Sequence, residues 1–170
     1  DLPGQPHGPS MSPVRAFVGI GANLGDPRAA VEDAITALAS LPATTLIARS
    51  SLYRSAPVEA DGPDFINAVA ALDTTLEAEA LLTCLQAIEQ GRGRLRPYLN
   101  APRTLDLDLL AWGDREAHAP TLTLPHPRLH LRAFVLEPLS ELAPDLVLPG
   151  IGAIAPWRPR AAGQRIERLP

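Results

Sequence analysis

Two alternating periodicities in the sequence predict an α+β fold of the ferredoxin-like type, a βαββαβ sandwich. Short segments rich in β-branched and apolar residues alternate with longer segments whose apolar residues recur every three to four positions. Their order is strand, helix, strand, strand, helix, strand, which is the split βαβ pattern. It predicts a mainly antiparallel sheet with helices on one face and extra C-terminal elements. The other face is then free to carry a site, with irregular loops at its rim.

Local signals predict the first strand, the first helix and the second strand. Residues 16–21 are apolar and end in glycine, as a short buried strand would. Asp26 followed by Pro27 marks the start of a helix, because Asp caps helix N-termini and Pro fits the first helical position. Residues 44–53 mix β-branched and apolar side chains and therefore predict the second strand.

The middle of the chain predicts a third strand and a second helix, each bordered by a loop. Residues 55–64 form an irregular loop, since prolines and a glycine interrupt them, and residues 65–72 form the strand. Thr74 and Glu77 have the spacing of a capping box that opens the second helix. Residues 91–104 then predict a second irregular loop.

The C-terminal third predicts a fourth strand followed by short elements. The strand carries two acidic residues and ends near Trp112. Beyond it we expect one short helix around Arg132 and another over residues 138–142. The tail from Pro149 is rich in Pro, Gly and Arg, and we expect it to pack as coil.

Composition indicates one ordinary globular domain. Residues 1–12 are rich in Pro, Gly and Ser, and we expect a disordered leader or a cloning remnant there, with Met11 as the native start. Residues 13–170 form the single domain. The one cysteine, Cys84, excludes an intramolecular disulfide and a multi-cysteine metal site. Neither a signal peptide nor a membrane span is evident, so we expect a cytoplasmic protein without a membrane partner.

The charged residues exclude several classes of protein. The net charge of −4 argues against a nucleic-acid binder that relies on a basic surface. All 15 basic residues are arginine. The absence of lysine excludes a P-loop kinase, which needs a phosphate-binding lysine, and it also excludes Schiff-base chemistry.

The fourth strand carries the most informative motif, PRTLDLD, over residues 102–108. Because side chains on a strand alternate, Asp106 and Asp108 point to one side and the leucines to the other. Two nearby carboxylates repel each other unless a cation lies between them. Hard oxygen ligands suit Mg²⁺, which takes the rest of its shell from water and phosphates, and Arg103 could bind one of those phosphates. A pair of this kind can also serve only to protect an exposed strand edge, and the motif alone leaves that alternative open.

Cationic side chains around this strand favour a polyphosphate ligand. Arginines crowd the second loop and repel one another unless an anion binds between them. They are Arg92, Arg94, Arg96 and Arg103. His126 lies between two prolines and can donate a hydrogen bond to a phosphate oxygen. The alternatives are a solvated basic loop and a surface turn histidine, and we expect His118 and His130 on the surface.

Aromatic and amide side chains favour a flat heterocyclic ligand. Phe65 and Phe134 could stack on such a ring, although core packing is the alternative for each. Asn67 shares a strand face with Phe65, and its amide could pair with the edge of a pterin or a purine. Gln86 and Glu89 lie on one face of the second helix, which either turns toward the acidic strand or is a solvent-exposed polar face.

These features together resemble the 6-hydroxymethyl-7,8-dihydropterin pyrophosphokinase family over about residues 14–150. Four segments carry the resemblance in order: GIGANL at residues 19–24, SSLYRSAP at 50–57, PRTLDLDLL at 102–110, and LPH at 124–126 with Arg132 and Phe134. The sequence departs from the family pattern at Leu99, where a basic residue is common, at Asn100, where an aromatic residue is common, and at Ala56, where a second proline is common.

The resemblance implies a single pyrophosphokinase domain that transfers pyrophosphate from ATP to the pterin hydroxymethyl group and releases AMP, in folate biosynthesis. Asp106 and Asp108 would hold two Mg²⁺ ions, and Arg94 and Arg103 would bind transition-state charge, so these four residues would be catalytic. The residues implied to contact the pterin are Ser55, Ala56, Val58, Phe65, Asn67 and Phe134. The residues implied to contact ATP are Gln86, Arg94, Arg96, Arg103, Leu109, Thr123, His126 and Arg132.

Two other functions remain compatible with the residues alone. One is a Mg²⁺-dependent phosphohydrolase that uses the same pair of aspartates, and the other is a non-catalytic ferredoxin-like module that binds a ligand. For the pyrophosphokinase we expect ATP and a dihydropterin alcohol as the partners. We expect a monomer and leave a weak dimer open.

Overall fold

The computed structural model describes residues 12–57, 62–93 and 105–170 and has a six-stranded sheet at its centre. The strands are β1 (Val14–Ala22), β2 (Thr44–Arg49), β3 (Tyr53–Ser55), β4 (Phe65–Thr74), β5 (Asp106–Trp112), β6 (Ala117–Ala119), β7 (Leu122–Leu124), β8 (Val147–Leu148), β9 (Gly152–Ala153) and β10 (Ile166–Arg168). The helices are α1 (Pro27–Ala39), α2 (Ala78–Gly93), α3 (Ala133–Leu142) and α4 (Trp157–Arg160), and a 3₁₀ turn spans Leu129–Leu131.

The sheet has the predicted ferredoxin-like connectivity. Its order is β10-β3-β4-β1-β5, with β2 also paired to β4, and its pairs are antiparallel. The chain follows the predicted βαββαβ course from β1 through α1, the β2–β3 segment, β4 and α2 to β5. The two small hairpins, β6–β7 and β8–β9, lie outside this sheet.

The sheet separates two apolar cores. Alternate residues of β1, among them Ala16, Val18 and Ile20, belong to the core that contains buried residues of α1 and α2. The residue between them, Phe17, belongs to a second core on the opposite face, with buried residues of α3 such as Leu136. The helices of the βαββαβ motif therefore share one face as predicted. The extra C-terminal elements cover part of the other face and leave the rest of it open.

The first predicted helix cap is present and the second is not. The side chain of Asp26 accepts a hydrogen bond from the Ala29 N–H (3.1 Å) at the start of α1. The predicted capping box of Thr74 and Glu77 is wrong, because β4 continues through Thr74 and α2 begins only at Ala78. Thr74 of β4 pairs with residues of both β1 and β2, so strand pairing at this residue prevails over the capping-box pattern in the local sequence.

The strand predicted over residues 44–53 is broken into β2 and β3. At the break, Ser50 Oγ accepts a hydrogen bond from the Val69 N–H (2.9 Å), and Glu141 of α3 accepts one from the Ser51 N–H (2.9 Å). Glu141 also accepts from the Tyr53 hydroxyl (2.8 Å). Burial and this hydrogen bond raise the pKa of Tyr53 to about 12.

The predicted coil after Pro149 is also wrong. This segment contains β9, α4 and β10, and β10 adds an edge strand beside β3. Arg132 lies between the 3₁₀ turn and α3, not inside a helix, and the second predicted helix is the C-terminal half of α3. His130, expected on the surface, packs edge-on against Trp157 with ring centroids 4.6 Å apart. In the described part of the chain, no helix is both long and apolar enough to span a bilayer.

Candidate active site

A cavity of about 740 Å³ opens on the uncovered part of the second sheet face, beside α3. The central strands contribute one set of lining residues: Gly19, Gly21, Phe65, Asn67, Asp106 and Asp108. The end of β3 and the segment leading into α3 contribute another set: Ser55, Ala56, His126, Arg128, Leu131, Arg132 and Phe134. The cavity therefore combines an acidic strand, a cationic segment and two aromatic rings.

Two glycines on β1 form the floor of the cavity. Gly21 lies opposite Asp106 on β5 and opposite Asn67 on β4, and Gly19 lies opposite Asp108. A Cβ atom at Gly21 would lie 3.2 Å from the Asn67 Oδ1 atom, so a larger residue would fill the space above the strand. Neither glycine was predicted for the site. The available signal was their spacing, since two glycines two residues apart on a strand share one face.

The acidic strand has the predicted alternation. Asp106 and Asp108 are exposed on the cavity side of β5, and Leu107 between them is 5% exposed in the opposite core. Two residues along a strand are separated by about 6–7 Å, so both carboxylates reach one ligand-sized space. The Leu107 N–H on this edge strand donates to a carboxylate oxygen of Glu89 (2.8 Å). This hydrogen bond links α2 to β5.

The donor set of the acidic strand fits Mg²⁺. Among the residues that the structure describes, no group of three or more His, Cys, Asp or Glu side chains surrounds a possible metal position. Asp106 and Asp108 alone would leave most of an octahedral shell to other ligands. Mg²⁺ binds in this way in many nucleotide sites, where it keeps several waters and takes the remaining oxygens from phosphates.

His126 lies at the cavity wall as a neutral hydrogen-bond donor. Its backbone N–H donates to the Leu110 carbonyl (2.8 Å), and its Nδ1 atom accepts from the Arg128 N–H (3.2 Å). Burial lowers the pKa of His126; the nearby Asp108 opposes this, and Arg132 and Arg128 add to it. The neutral ring with an accepting Nδ1 carries its proton on Nε2, which can donate to an anion.

Two aromatic rings and a buried amide line the other part of the cavity. Phe65 is the first residue of β4, and Phe134 is in the first turn of α3. The Arg132 guanidinium lies 5.4 Å from the centre of the Phe134 ring. Asn67, only 3% exposed, donates from Nδ2 to the Ser55 Oγ atom (2.6 Å), which fixes the orientation of its amide. Such a set can hold a flat polar heterocycle by stacking and by hydrogen bonds at its edge.

Several predicted site residues lie elsewhere. Gln86 is exposed on α2 and does not line the cavity. The Leu109 side chain is buried in the core under α1 and α2 and does not line the cavity. Thr123 is half-buried in the β6–β7 hairpin opposite His118.

Other predicted residues fall outside the described residues: Val58, Arg94, Arg96 and Arg103, together with Leu99 and Asn100. Arg128 and Leu131 line the cavity and were not predicted. Arg128 follows His126 by two residues, in the same short segment as Arg132, and this clustering of cationic residues was the available signal.

Comparisons with known proteins show one family and several similar sequences. The family model described as 7,8-dihydro-6-hydroxymethylpterin-pyrophosphokinase (HPPK) matches residues 17–144. The 2-amino-4-hydroxy-6-hydroxymethyldihydropteridine pyrophosphokinase of Pseudomonas aeruginosa is 46% identical over 157 residues, which cover 92% of this chain and 97% of the relative. The protein of the same name from Haemophilus influenzae is 42% identical over 157 residues, covering 92% and 98%.

The fold is also found among solved structures. The crystal structure of wild-type Plasmodium falciparum HPPK-DHPS aligns with a TM-score of 0.70 at 12% identity, over 93% of this chain and 43% of that chain. This chain therefore spans less than half of that larger protein. At this level of identity, the likeness shows a shared fold.

Proposed function

This chain belongs to the 7,8-dihydro-6-hydroxymethylpterin pyrophosphokinase family, and we propose that it transfers pyrophosphate from ATP to 6-hydroxymethyl-7,8-dihydropterin and releases AMP. The observation that carries the proposal is the composition of the cavity. One part has two phenyl rings and a buried amide, and the other has paired carboxylates, a histidine and arginines. The phosphohydrolase and the non-catalytic module gain no support from the relatives.

The dihydropterin is proposed to bind between Phe65 and Phe134. A flat bicyclic ring gains stacking energy from both phenyl rings. Asn67 and Ser55 would pair with its polar edge, because both line the cavity and their mutual hydrogen bond fixes the orientation of the amide. The backbone at Ala56, and Val58 by family analogy, complete the proposed contacts with the pterin.

The triphosphate of ATP is proposed to bind between β5 and the segment before α3. Asp106 and Asp108 would hold Mg²⁺, two ions by family analogy, and the bound metal would neutralise charge on the phosphate oxygens. Arg132 and the Nε2–H of His126 would bind phosphate oxygens directly. Family analogy adds contacts to ATP from the following residues: Gln86, Arg94, Arg96, Arg103, Leu109 and Thr123.

In the proposed reaction the pterin hydroxyl oxygen attacks the β-phosphorus of ATP in line. A new oxygen–phosphorus bond forms, the bond between the β-phosphorus and the α,β-bridging oxygen breaks, and AMP leaves with that oxygen. The hydroxyl proton passes to Asp108 or to water in the cavity. The protein contributes mainly the alignment of the two substrates and the neutralisation of charge, as is general for phosphoryl transfer.

Product analysis tests the proposal. The protein is incubated with Mg-ATP and the dihydropterin alcohol, and the products are identified by phosphorus NMR and chromatography. We expect AMP and a pyrophosphorylated pterin in equal amounts, and no AMP when the pterin is omitted or the metal is chelated. Formation of ADP, or of inorganic phosphate with an unmodified pterin, would overturn the proposal. We also propose a cytoplasmic protein that is active as a monomer, and sedimentation under assay conditions checks the oligomeric state.

A further inference from the structure

Consecutive residues near the C-terminus contact three separate elements that carry cavity residues. Gln164 contacts the segment before α3, Arg165 contacts the residue before β4, and Ile166 pairs with Ser55 of β3. None of the residues singled out for the site lies in this tail. The tail nevertheless contacts the segments that carry Phe134, Phe65 and Ser55 around the proposed pterin position.

Gln164 forms hydrogen bonds with the backbone on both sides of Arg132. Its Oε1 atom accepts a hydrogen bond from the Ala133 N–H (2.9 Å), and its Nε2 atom donates to the Leu131 carbonyl (2.8 Å). Arg132, at the N-cap position of α3, makes no side-chain capping hydrogen bond. Gln164 therefore satisfies the first N–H of this helix, a group that otherwise lacks a backbone partner. The two bonds fix the backbone that carries Arg132 and Phe134.

Arg165 forms an ion pair next to Phe65, the other aromatic residue of the cavity. Its two terminal nitrogens donate to the two carboxylate oxygens of Asp64, at 2.8 and 3.1 Å. This bidentate pairing lowers the pKa of Asp64. Asp64 directly precedes Phe65, so the ion pair anchors the start of β4 at the point where the ring enters the cavity. The planar guanidinium makes this a directional contact as well as an attraction of charges.

We propose that Gln164 and Arg165 are positioning residues, which we call the C-terminal clamp, and that they set the gap between Phe65 and Phe134. The gap determines how well a flat ring stacks on both phenyl groups, so the clamp controls affinity for the dihydropterin. This inference rests on the proposed function. Neither residue touches the reacting groups, so the clamp acts through binding and leaves the chemical step unchanged.

Steady-state kinetics of single variants test the clamp. Arg165→Ala is expected to raise the KM for the dihydropterin about threefold and to leave the KM for ATP unchanged, because the proposed ligand contact next to Asp64 is Phe65 of the pterin position. Gln164→Ala is expected to raise the KM for the dihydropterin about tenfold and also the KM for ATP, because its bonds lie on both sides of Arg132. In both variants kcat should stay within about threefold of the wild-type value.

A matched control and two rescue variants separate positioning from general destabilisation. Arg115 forms an equivalent bidentate pair with Glu79 (2.7 Å) away from the cavity, so Arg115→Ala should leave both KM values unchanged. The double variant Asp64→Arg with Arg165→Asp reverses the ion pair and should restore the KM for the dihydropterin. Gln164→Glu keeps the acceptor and loses the donor, and its KM should lie between those of wild type and Gln164→Ala.

The outcomes distinguish the clamp from the function on which it rests. A wild-type protein that forms no AMP overturns the proposed function and with it the pterin role of the clamp. An active enzyme whose dihydropterin KM is unchanged in folded Gln164→Ala and Arg165→Ala overturns the clamp alone. Hydrogen exchange without substrate gives a readout besides activity, since Gln164→Ala should expose the Ala133 amide and leave the Ala30 amide protected. If Gln164→Ala does not fold, the Gln164→Glu and Arg165→Ala variants decide the outcome.

Discussion

The two faces of the central sheet differ most clearly on β5. Leu107 and Leu109 face α1 and α2 and are 5% and 6% exposed, whereas Asp106 and Asp108, on the other side of the same strand, are exposed in the cavity. One face is filled by apolar side chains from strands and helices. On the other face, α3 covers a second apolar core, and the part left open has glycines for its floor and charged and aromatic groups for its walls.

This difference shows how a single strand serves both stability and chemistry. Because neighbouring side chains point to opposite faces, the carboxylates take no space from the core and the leucines take none from the cavity. Substitutions on the two faces should therefore have separable effects. Those on the core face should change the free energy of unfolding, and those on the cavity face should change binding and turnover.

The largest effect is expected from the carboxylates. Asp108→Asn keeps the shape of the side chain and removes its charge, so we expect kcat for AMP formation to fall on the order of a hundredfold to a thousandfold, because charge neutralisation on the triphosphate is lost. The melting temperature, measured by circular dichroism, should change little, since Asp108 is exposed. A variant that retains more than one tenth of wild-type turnover would contradict the proposed role.

The core face provides the converse test. Leu85 of α2 is 0% exposed, and Leu85→Ala should lower the free energy of unfolding by about 2–5 kcal/mol through lost burial and a residual cavity. Turnover per folded molecule should be unchanged at a temperature where the variant is folded. Val147→Ala is the matched control, because Val147 is 66% exposed and its truncation should cost at most about 0.5 kcal/mol. Denaturant unfolding measures the free energies of unfolding of both variants. A large loss of turnover in folded Leu85→Ala would contradict the claim that the two faces have separable effects.

Local patterns predicted most of the core motif and several of the residues that the structure brings together around the cavity. The alternation along β5 and the Asp26 cap depend on residues close in sequence, so both could be derived from the chain itself. The break between β2 and β3 could not, because Ser51 and Tyr53 donate hydrogen bonds there to Glu141, which is distant in sequence. β10 was missed for the same reason, since its partner is the free edge of β3. The contacts of Gln164 likewise join segments that are far apart in the sequence.

An intermediate effect is expected at the floor of the cavity. A Cβ atom at Gly21 would lie 3.2 Å from the Asn67 Oδ1 atom and 3.7 Å from the Phe65 ring. Gly21→Ala should therefore raise the KM for the dihydropterin about tenfold, a cost of about 1.4 kcal/mol in binding. Gly91→Ala is the control, because a Cβ atom there meets no atom within 4 Å, and in α2 it should stabilise by up to about 1 kcal/mol. An unchanged KM in Gly21→Ala would show that the substrate does not reach the floor.

The smallest effect concerns the charge state of His126 on the cavity face. Burial holds its pKa below 6.5 and Asp108 partly opposes this, so Asp108→Asn should lower the pKa further. Asp145→Asn removes a charge outside the cavity lining and should leave this pKa unchanged.

Titration of His126 by NMR measures these shifts, and nitrogen shifts at pH 7 should report a neutral ring protonated at Nε2. Because the folded state disfavours the charged ring, the contribution of His126 to stability is present above pH 6.5. It is lost as the pH falls from 6.5 toward the pKa of the folded state. A ring that is protonated at pH 7 in the free protein would contradict this prediction. His126 would then bind phosphate as a cation, and burial of the ring would not keep it neutral.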